Sequence, residues 1–258
     1  MEKRTVIITQ ARTGSKRFPN KILQKINDKT LLDIHLYRLK KATKAERIII
    51  ATTTNTSDNI IEEIGKKNHI EVFRGSEDDV LGRFWNAIKN IDTDYIVRVT
   101  SDCPLIDPEL IDKFIIIMEE NNFDYISNAI DETFPDGQDL EIFKKSALEL
   151  SFIKAKFKSH REHVTLFIKE NSNLVNKKLF SVKSFSSKKN YNKIRMTVDY
   201  EEDLEVIKLL VKKVGLDKNW KKYVECYIKN NFEDYNGRIK RNEGLFQSLK
   251  NEKRTRII

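Results

Sequence analysis

A basic loop near the start of this 258-residue chain has the residue types that bind phosphate. It follows the apolar run Val6–Ile8 and carries Arg12, Arg17 and Lys21 around Gly14. Glycine lets the backbone approach an anion closely, and arginine and lysine supply charge and hydrogen-bond donors. Ligands of open α/β sheets bind beyond the carboxyl ends of the strands. The position of the loop, directly after the first predicted strand, therefore favours a phosphate site over the alternative of a solvated basic loop.

Two aspartates also follow predicted strands. Asp102 comes after the strand predicted at Tyr95–Val99, and Asp199 comes after the one predicted at Ile194–Val198. Two carboxylates at one sheet edge suit Mg²⁺, which takes few protein carboxylates and completes its octahedron with water and phosphate oxygens. The alternatives are a turn residue before Pro104 for Asp102 and a helix N-cap for Asp199. Taken together with the basic loop, the two aspartates favour a metal–nucleotide site.

Alternating strands and helices must position these groups. Besides the strands just named, apolar runs predict strands at Arg47–Thr52 and Ile70–Phe73 and a strand that begins at Tyr125. Apolar residues at helical spacing predict helices, namely Leu31–Ala42, Ser57–Gly65, Asp79–Asn90, Glu109–Asn121 and Glu201–Val214. This alternation predicts an α/β fold with a mostly parallel sheet and helices on both faces.

The middle of the chain breaks the alternation, so we interpret residues 131–192 as an inserted region of a single domain. It contains a predicted strand at Leu140–Phe143 and a predicted helix at His160–Ile168. Residues 176–195 are interpreted as one or two further strands. The last residues, about 250–258, form a basic tail.

Composition narrows the functional classes. The net charge is +9, but the basic residues are not interleaved with aromatic residues, which argues against nucleic-acid binding. No apolar run reaches the roughly 18 residues of a membrane span, and the first ten residues lack an apolar segment of signal-peptide length. We therefore expect a cytoplasmic protein that does not bind a membrane. The two cysteines, Cys103 and Cys226, are far apart and suggest neither a disulfide nor a zinc site.

Six segments resemble a known family. They occur in the order QARTGSKRFPNKIL, RVTSDCPLIDPELID, TFPDGQDLEIF, REHVT, RMTVDYEEDLEVI and RNEGLFQSL. Their order and spacing resemble the SpsF-like cytidylyltransferases of spore-coat polysaccharide biosynthesis, which are related to acylneuraminate and 3-deoxy-manno-octulosonate cytidylyltransferases. The resemblance covers nearly the whole chain. It implies a Rossmann-like, glycosyltransferase-A-like nucleotidyltransferase that uses CTP and Mg²⁺ to activate a small-molecule acceptor and forms a homodimer through the inserted region.

The resemblance also assigns residues. It implies that Arg12, Lys21 and Asp102 are catalytic and that Asp102 and Asp199 bind the metal. The nucleotide-binding residues that it implies are Gln10, Ala11, Arg12, Gly14, Ser15, Arg17, Lys21, Thr53, Arg74 and Ser101. The acceptor-binding residues that it implies are Asp136, Gln138, Asp139, Glu141, Arg161 and His163.

Two other functional classes remain. A glycosyltransferase of the same broad fold would use a nucleotide-sugar donor and usually has two acidic residues in a DxD motif after the fourth strand, where this chain has Asp102 alone. A non-catalytic nucleotide-binding protein would be favoured by loss of Arg12, Lys21 or Asp102, and all three are present.

Overall fold

A computed structural model describes residues 3–243, 246 and 249–250. The strands are β1 Thr5–Gln10, β2 Lys25–Ile26, β3 Lys29–Thr30, β4 Arg47–Thr53, β5 Glu71–Gly75, β6 Tyr95–Thr100, β7 Tyr125–Ser127, β8 Glu141–Lys144 and β9 Val182–Ser184. The α-helices are α1 Leu31–Leu39, α2 Asn59–Lys67, α3 Val80–Ile88, α4 Pro108–Glu120, α5 Lys145–Lys154, α6 Lys158–Glu162, α7 Leu166–Glu170, α8 Glu201–Val214, α9 Trp220–Lys229 and α10 Glu233–Asn236.

Seven of the strands in the described ranges form one sheet, in the order β5-β4-β1-β6-β8-β7-β9. β1 pairs in parallel with β4 and β6, and β4 pairs in parallel with β5. β8 runs antiparallel between β6 and β7, and β9 is parallel to β7. The predicted α/β class with a mostly parallel, mixed sheet is confirmed. Residues 131–192, interpreted from the sequence as an inserted region, contribute β8 and β9 to this same sheet.

Helices cover both faces of the sheet. On one face α1, α4, α8 and α9 form the larger apolar core with the sheet, and buried residues such as Ile7, Val97 and Ile142 point into it. On the other face α3, α5 and α7 pack over the alternate residues of the same strands, among them Ile8, Ile96 and Phe143. Because side chains alternate along a strand, β1, β6, β7 and β8 each contribute to both cores. The loops at the carboxyl ends of β1, β4 and β6 therefore begin at strands that are packed on both faces.

Two predicted elements differ from the structure, and a third agrees with it. The helix predicted at His160–Ile168 is two short helices, α6 and α7, separated by a break at His163–Thr165. Residues 176–195, interpreted as one or two strands, contain one strand, β9, which agrees with the prediction. The strand predicted at Ile194–Val198 is wrong: this buried segment contacts the 136–138 turn through a single bridge between Asp136 and Arg195. The predicted tail, Lys250 excepted, lies outside the described residues.

Candidate active site

The loop that follows β1 is fastened to the neighbouring strand by Asp58. Thr13 donates to Oδ1 of Asp58 from its backbone nitrogen and from Oγ1, each at 2.7 Å. Thr53, at the end of β4, donates to the other carboxylate oxygen. Asn20 has a left-handed φ of 56° and donates its backbone N–H to the carbonyl of Thr13 at 3.0 Å. The loop closes tightly, and the residue after this turn, Lys21, is buried.

Lys21 bridges the two aspartates that the sequence singles out. Its Nζ donates to Oδ2 of Asp102 and to Oδ1 of Asp199, each at 2.8 Å. Burial opposes charge at Lys21, but the two carboxylates still raise the pKa of its ammonium above the ordinary value. Burial likewise opposes ionisation of Asp102, yet the Lys21 ammonium holds the pKa of that carboxyl well below its usual range. Lys21 is therefore cationic and Asp102 anionic at neutral pH.

Asp199 has two further cationic neighbours. Arg17 of the β1 loop pairs with Oδ1 of Asp199, and Arg195 lies 3.5 Å from its Oδ2. The alternative role predicted for Asp199, that of N-cap of the following helix α8, is filled by other residues. Asp203 accepts from the backbone nitrogens of Asp199 at 2.9 Å and Tyr200 at 3.2 Å. The Asp199 carboxylate is therefore not used to cap α8 and is directed at the cations.

The Asp102–Asp199 pair fits a magnesium ion. Lys21 acts as a stand-in cation, because its ammonium lies where oxygens of both carboxylates converge at 2.8 Å. In the described part of the chain no group of three or more His, Cys, Asp or Glu residues could hold a metal ion. Two carboxylates nevertheless suffice for Mg²⁺ when water and phosphate oxygens supply the remaining ligands. The two carboxylates would therefore suit a metal whose remaining ligands are water and phosphate oxygens.

A second set of charges surrounds the start of the loop. Arg12 Nη1 contacts Oε1 of Glu77 at 3.1 Å, and Asn55 Nδ2 donates to Oε2 of the same carboxylate at 2.7 Å. Burial and the neighbouring Arg12 lower the pKa of Arg83 to about 10, which leaves it protonated at neutral pH. Two arginines this close repel one another unless an anion lies between or beside them. Glu77, with Asp58 and Asp79, already supplies negative charge beside the pair, so an arriving phosphate would compete with Glu77 for Arg12.

The other residues implied to bind nucleotide are placed around this edge, with different roles. Arg74 donates to the carbonyls of Thr53 at 2.9 Å and Asn55 at 2.7 Å, so it holds the backbone of that loop. Ser101 is buried and its N–H reaches the carbonyl of Gln10 at 3.2 Å. The remaining residues lie in or beside the β1 loop, namely Ala11, Gly14 and Ser15.

Among the residues implied to bind the acceptor, three lie on the loop before β8. Asp136 accepts from Arg195 Nη1 at 2.6 Å, and burial with the neighbouring Asp139 raises the pKa of Asp136 to about 7. Asp139 pairs with Arg241. Gln138 is fully buried, accepting from the N–H of Asp107 at 3.0 Å and donating to a carbonyl at 2.9 Å. Gln138 therefore positions the Leu105–Asp107 turn.

The other three lie on β8 itself and in or just after α6. Glu141 is buried and pairs with Arg98. Arg161 pairs with Asp79 and donates to the carbonyl of Phe152 at 2.9 Å. His163 has a buried Nε2 with no hydrogen-bond partner in the described part of the chain. The six residues are therefore not brought together: Asp136 lies near Asp199 and His163 near Glu141, whereas Arg161 is paired with Asp79.

His35 supports the turn that carries Asp102. It lies on α1, fully buried, with Nε2 at 2.9 Å from Oγ1 of Thr9 and Nδ1 at 3.0 Å from the carbonyl oxygen of Cys103. Burial lowers the pKa of His35 to about 4, so the ring is neutral at physiological pH. This histidine joins β1, α1 and the Asp102 turn.

Because the unfolded chain binds a proton at His35 near pH 6.5 and the folded chain does so only near pH 4, acid favours unfolding. We expect this group to remove about 3 kcal/mol of stability between pH 7 and pH 4. The measurement is urea unfolding of the wild type and of His35→Gln across that range. The free-energy difference between them should move in favour of the variant as the pH falls. A difference that is constant with pH would contradict the burial of a neutral ring.

Comparisons with known proteins identify the family. A family model described as cytidylyltransferase matches residues 6–233. The chain belongs to the cytidylyltransferase family. Spore coat polysaccharide biosynthesis protein SpsF of Bacillus subtilis is 34% identical to it over 81% of this chain and 87% of that protein. The uncharacterized protein MJ1063 of Methanocaldococcus jannaschii is 46% identical over 77% of this chain and 79% of its own.

A solved structure agrees with this assignment. A cytidylyltransferase from Leptospira borgpetersenii is 32% identical, with a TM-score of 0.84 over 93% of this chain and all of that one. The chain is therefore a nucleotidyltransferase, as the six motifs imply. The helices in the described part of this cytidylyltransferase are all too short or too polar to span a bilayer.

Proposed function

We propose that this cytidylyltransferase uses CTP and Mg²⁺ to convert a sugar or sugar acid of a surface polysaccharide to its CMP or CDP derivative, with release of pyrophosphate. The observation that carries the proposal is the bridge from Lys21 to Asp102 and Asp199, 2.8 Å on each side. It gathers a cation from the β1 loop and two carboxylates at one sheet edge. The name of SpsF supports a polysaccharide precursor as the acceptor.

The proposed reaction is a displacement at the α-phosphorus of CTP. An acceptor oxygen forms the new bond to that phosphorus, the bond from the α-phosphorus to the bridging oxygen breaks, and pyrophosphate leaves with the electron pair. A hydroxyl acceptor also loses its proton, whereas a phosphate acceptor is already ionised. Phosphoryl transfer of this kind depends on positioning and charge neutralisation. Mg²⁺, when bound by Asp102 and Asp199, would neutralise charge on the reacting phosphates.

The chain's own residues supply the rest. Lys21 and Arg17 both contact Asp199 in the structure, and both can turn to the triphosphate once it is present. Arg12, with Arg83 beside it, would hold the outer phosphates. Fixed cations around a developing negative charge lower the barrier more than solvent does, because they need no reorganisation. His35 and Asp58 hold the two loops at the required separation.

The test is pyrophosphate release with each of the four ribonucleoside triphosphates and Mg²⁺, against a panel of sugar acids, sugars and sugar phosphates. We expect pyrophosphate release with CTP and one class of acceptor. The Asp102→Asn variant should release no pyrophosphate and serves as the negative control. Tight binding of CTP without release would place the acceptor outside the panel. If no triphosphate binds, the proposal fails, and turnover of a nucleotide sugar would then support the glycosyltransferase alternative.

We also propose that the enzyme is a cytoplasmic homodimer joined through residues 131–192. Several exposed apolar side chains belong to that region, among them Ile153, Leu174, Val175 and Leu179. Exposed apolar side chains such as these would gain from burial in a contact between two copies. We expect static light scattering at micromolar concentration to give the mass of a dimer. The double variant Leu174→Lys/Val175→Lys should give a monomer, and a wild type of 30.3 kDa in solution would contradict the proposal.

A further inference from the structure

Arg12 already has an anion beside it in this structure, and that anion is a carboxylate of the protein itself. Glu77 lies on the loop between β5 and α3. Its Oε1 accepts from Nη1 of Arg12 at 3.1 Å, and its Oε2 accepts from Nδ2 of Asn55 at 2.7 Å. Both oxygens of the carboxylate are therefore bound to donors from the loops that follow β1 and β4.

The same carboxylate also lies next to the glycine of the β1 loop. A Cβ atom built on Gly14 would be 3.7 Å from Oε1 of Glu77, which is an ordinary van der Waals distance. Glycine lets an oxyanion approach the backbone closely, and here the oxyanion is Glu77. The Glu77 carboxylate thus occupies the place where a phosphate would contact both Arg12 and the backbone of the loop.

A second arginine beside this contact is only partly used. Arg83 of α3 is buried, and both Arg12 and Glu77 are close enough to act on its charge. Its Nη1 donates to the carbonyl of Ser76 at 2.8 Å, but its buried Nε has no hydrogen-bond partner among the described residues. Buried donors without partners are rare in native proteins. A phosphate has more oxygens than a carboxylate and so offers acceptors that Glu77 lacks.

Glu77 can leave this place through its side chain alone. Its side chain is 40% exposed and that of Arg12 is 48% exposed. An exposed ion pair contributes little stability, because water solvates both partners and salt screens them. The backbone around Glu77 is held in place, since Arg83 donates to a carbonyl of this loop and Asp79 caps α3. The exchange therefore needs a new rotamer of Glu77 and no rearrangement of the loop.

We propose that Glu77 is a resident substitute for an outer phosphate of CTP: the incoming triphosphate displaces its carboxylate from Arg12, and the carboxylate returns as pyrophosphate leaves. This inference rests on the proposed function, in which Arg12 holds the outer phosphates. Each phosphate contact at Arg12 is then gained at the expense of a contact with Glu77, and the displaced carboxylate still repels the phosphates nearby. Glu77 therefore limits how tightly the enzyme retains its product.

A purely structural Glu77 would behave differently when its charge is removed. If the carboxylate only joins the two loops, its loss would loosen Arg12 and Asn55 and weaken the binding of every nucleotide. If it competes with a phosphate, its loss frees Arg12 and strengthens the binding only of ligands that have outer phosphates. CMP has none, so it is the probe that distinguishes the two roles.

The test is isothermal titration calorimetry of the full-length protein with CTP, pyrophosphate and CMP, each in the presence of Mg²⁺. The variant is Glu77→Gln, which keeps the shape of the side chain and removes its charge. Asp78→Asn is the matched control, because Asp78 is the next acidic residue of the same loop and is exposed. The buffer contains about 0.15 M salt, at which exposed charges more than about 8 Å apart are largely screened.

We expect Glu77→Gln to bind CTP and pyrophosphate roughly threefold or more tightly than the wild type does, since one ion pair no longer has to be broken. Binding of CMP should be the same in both proteins, and Asp78→Asn should match the wild type with all three ligands. Equal or weaker binding of CTP by Glu77→Gln would overturn the proposal. Tightening of CMP to the same extent, or the same tightening in Asp78→Asn, would also overturn it. Failure of the wild type to bind CTP would instead refute the proposed function.

Discussion

Replacing Lys21 by alanine should strengthen binding of Mn²⁺ to the nucleotide-free protein and, in the same variant, lower kcat/KM for CTP by roughly 100-fold or more. The two effects share one cause. The Lys21 ammonium lies between Asp102 and Asp199, at 2.8 Å from each, where a divalent cation needs both carboxylates. Without it the carboxylates repel one another and accept the metal more readily. The triphosphate, however, loses a cation that it needs in the transition state.

The measurement is Mn²⁺ binding by calorimetry or electron paramagnetic resonance, with and without CTP, alongside turnover with Mg²⁺. Lys16→Ala is the control, because Lys16 is an exposed cation of the same loop. Asp102→Asn is the reciprocal variant and should lose metal affinity in both conditions as well as turnover. CTP affinity of the wild type should fall with ionic strength more steeply than that of Lys21→Ala. Weaker or unchanged Mn²⁺ binding in the nucleotide-free Lys21→Ala variant would contradict the bridging role of Lys21.

The secondary structure could be predicted from the sequence wherever a local pattern of residues determines the element. The apolar run at Val6–Ile8 marks β1, and helix α8 begins and ends where the pattern predicts, at Glu201 and Val214. Asp107 caps α4 and Pro108 is its first residue, a pairing that is readable without any tertiary contact. The residues that begin and end such elements can be read from the local sequence. They also place the β1 loop and Asp102 correctly at the ends of strands.

The sequence failed where a distant contact decided the structure. Ile194–Val198 alternates apolar and polar residues as a strand does, but its backbone meets the 136–138 turn instead of the sheet. Gly137 allows this, since its φ is 103° and a Cβ there would lie 2.4 Å from the carbonyl carbon of Met196. The helix predicted at His160–Ile168 breaks before α7, where Thr165 donates to Glu141. Neither interaction leaves a mark in the local pattern.

The supporting residues of the site were missed for the same reason. Asp58, Glu77 and Arg83 belong to the site because they interact with residues of the β1 loop that are far away in sequence. Arg98 was visible only as a charge inside an otherwise apolar strand, YIVRV. A charged residue at a buried strand position is the one sequence signal that could have found it, and Arg195 in RMTV gives the same signal.

Arg195→Met should lower the free energy of unfolding by about 3–5 kcal/mol, because it leaves buried carboxylates without their counter-charge. The side chain of Arg195 is 4% exposed. It donates to Asp136 at 2.6 Å and makes a two-point contact with Asp203 at 3.0 and 3.1 Å. Asp203 in turn accepts from the N–H of Asp199, so turnover should fall with stability. Urea unfolding followed by circular dichroism, with the pyrophosphate assay, measures both.

The matched control is Arg17→Met, since Arg17 pairs with the same Asp199 but keeps 34% of its side chain exposed. An exposed ion pair contributes little, so this variant should lose less than about 1 kcal/mol of stability while losing CTP affinity. Arg195→Lys keeps the charge but not the planar fork that meets two carboxylates at once, and should recover only part of the loss. Equal stability of Arg17→Met and Arg195→Met would contradict the idea that burial makes the Arg195 ion pairs important for the free energy of unfolding. The contrast therefore separates a cation that binds substrate from a cation that holds the site together.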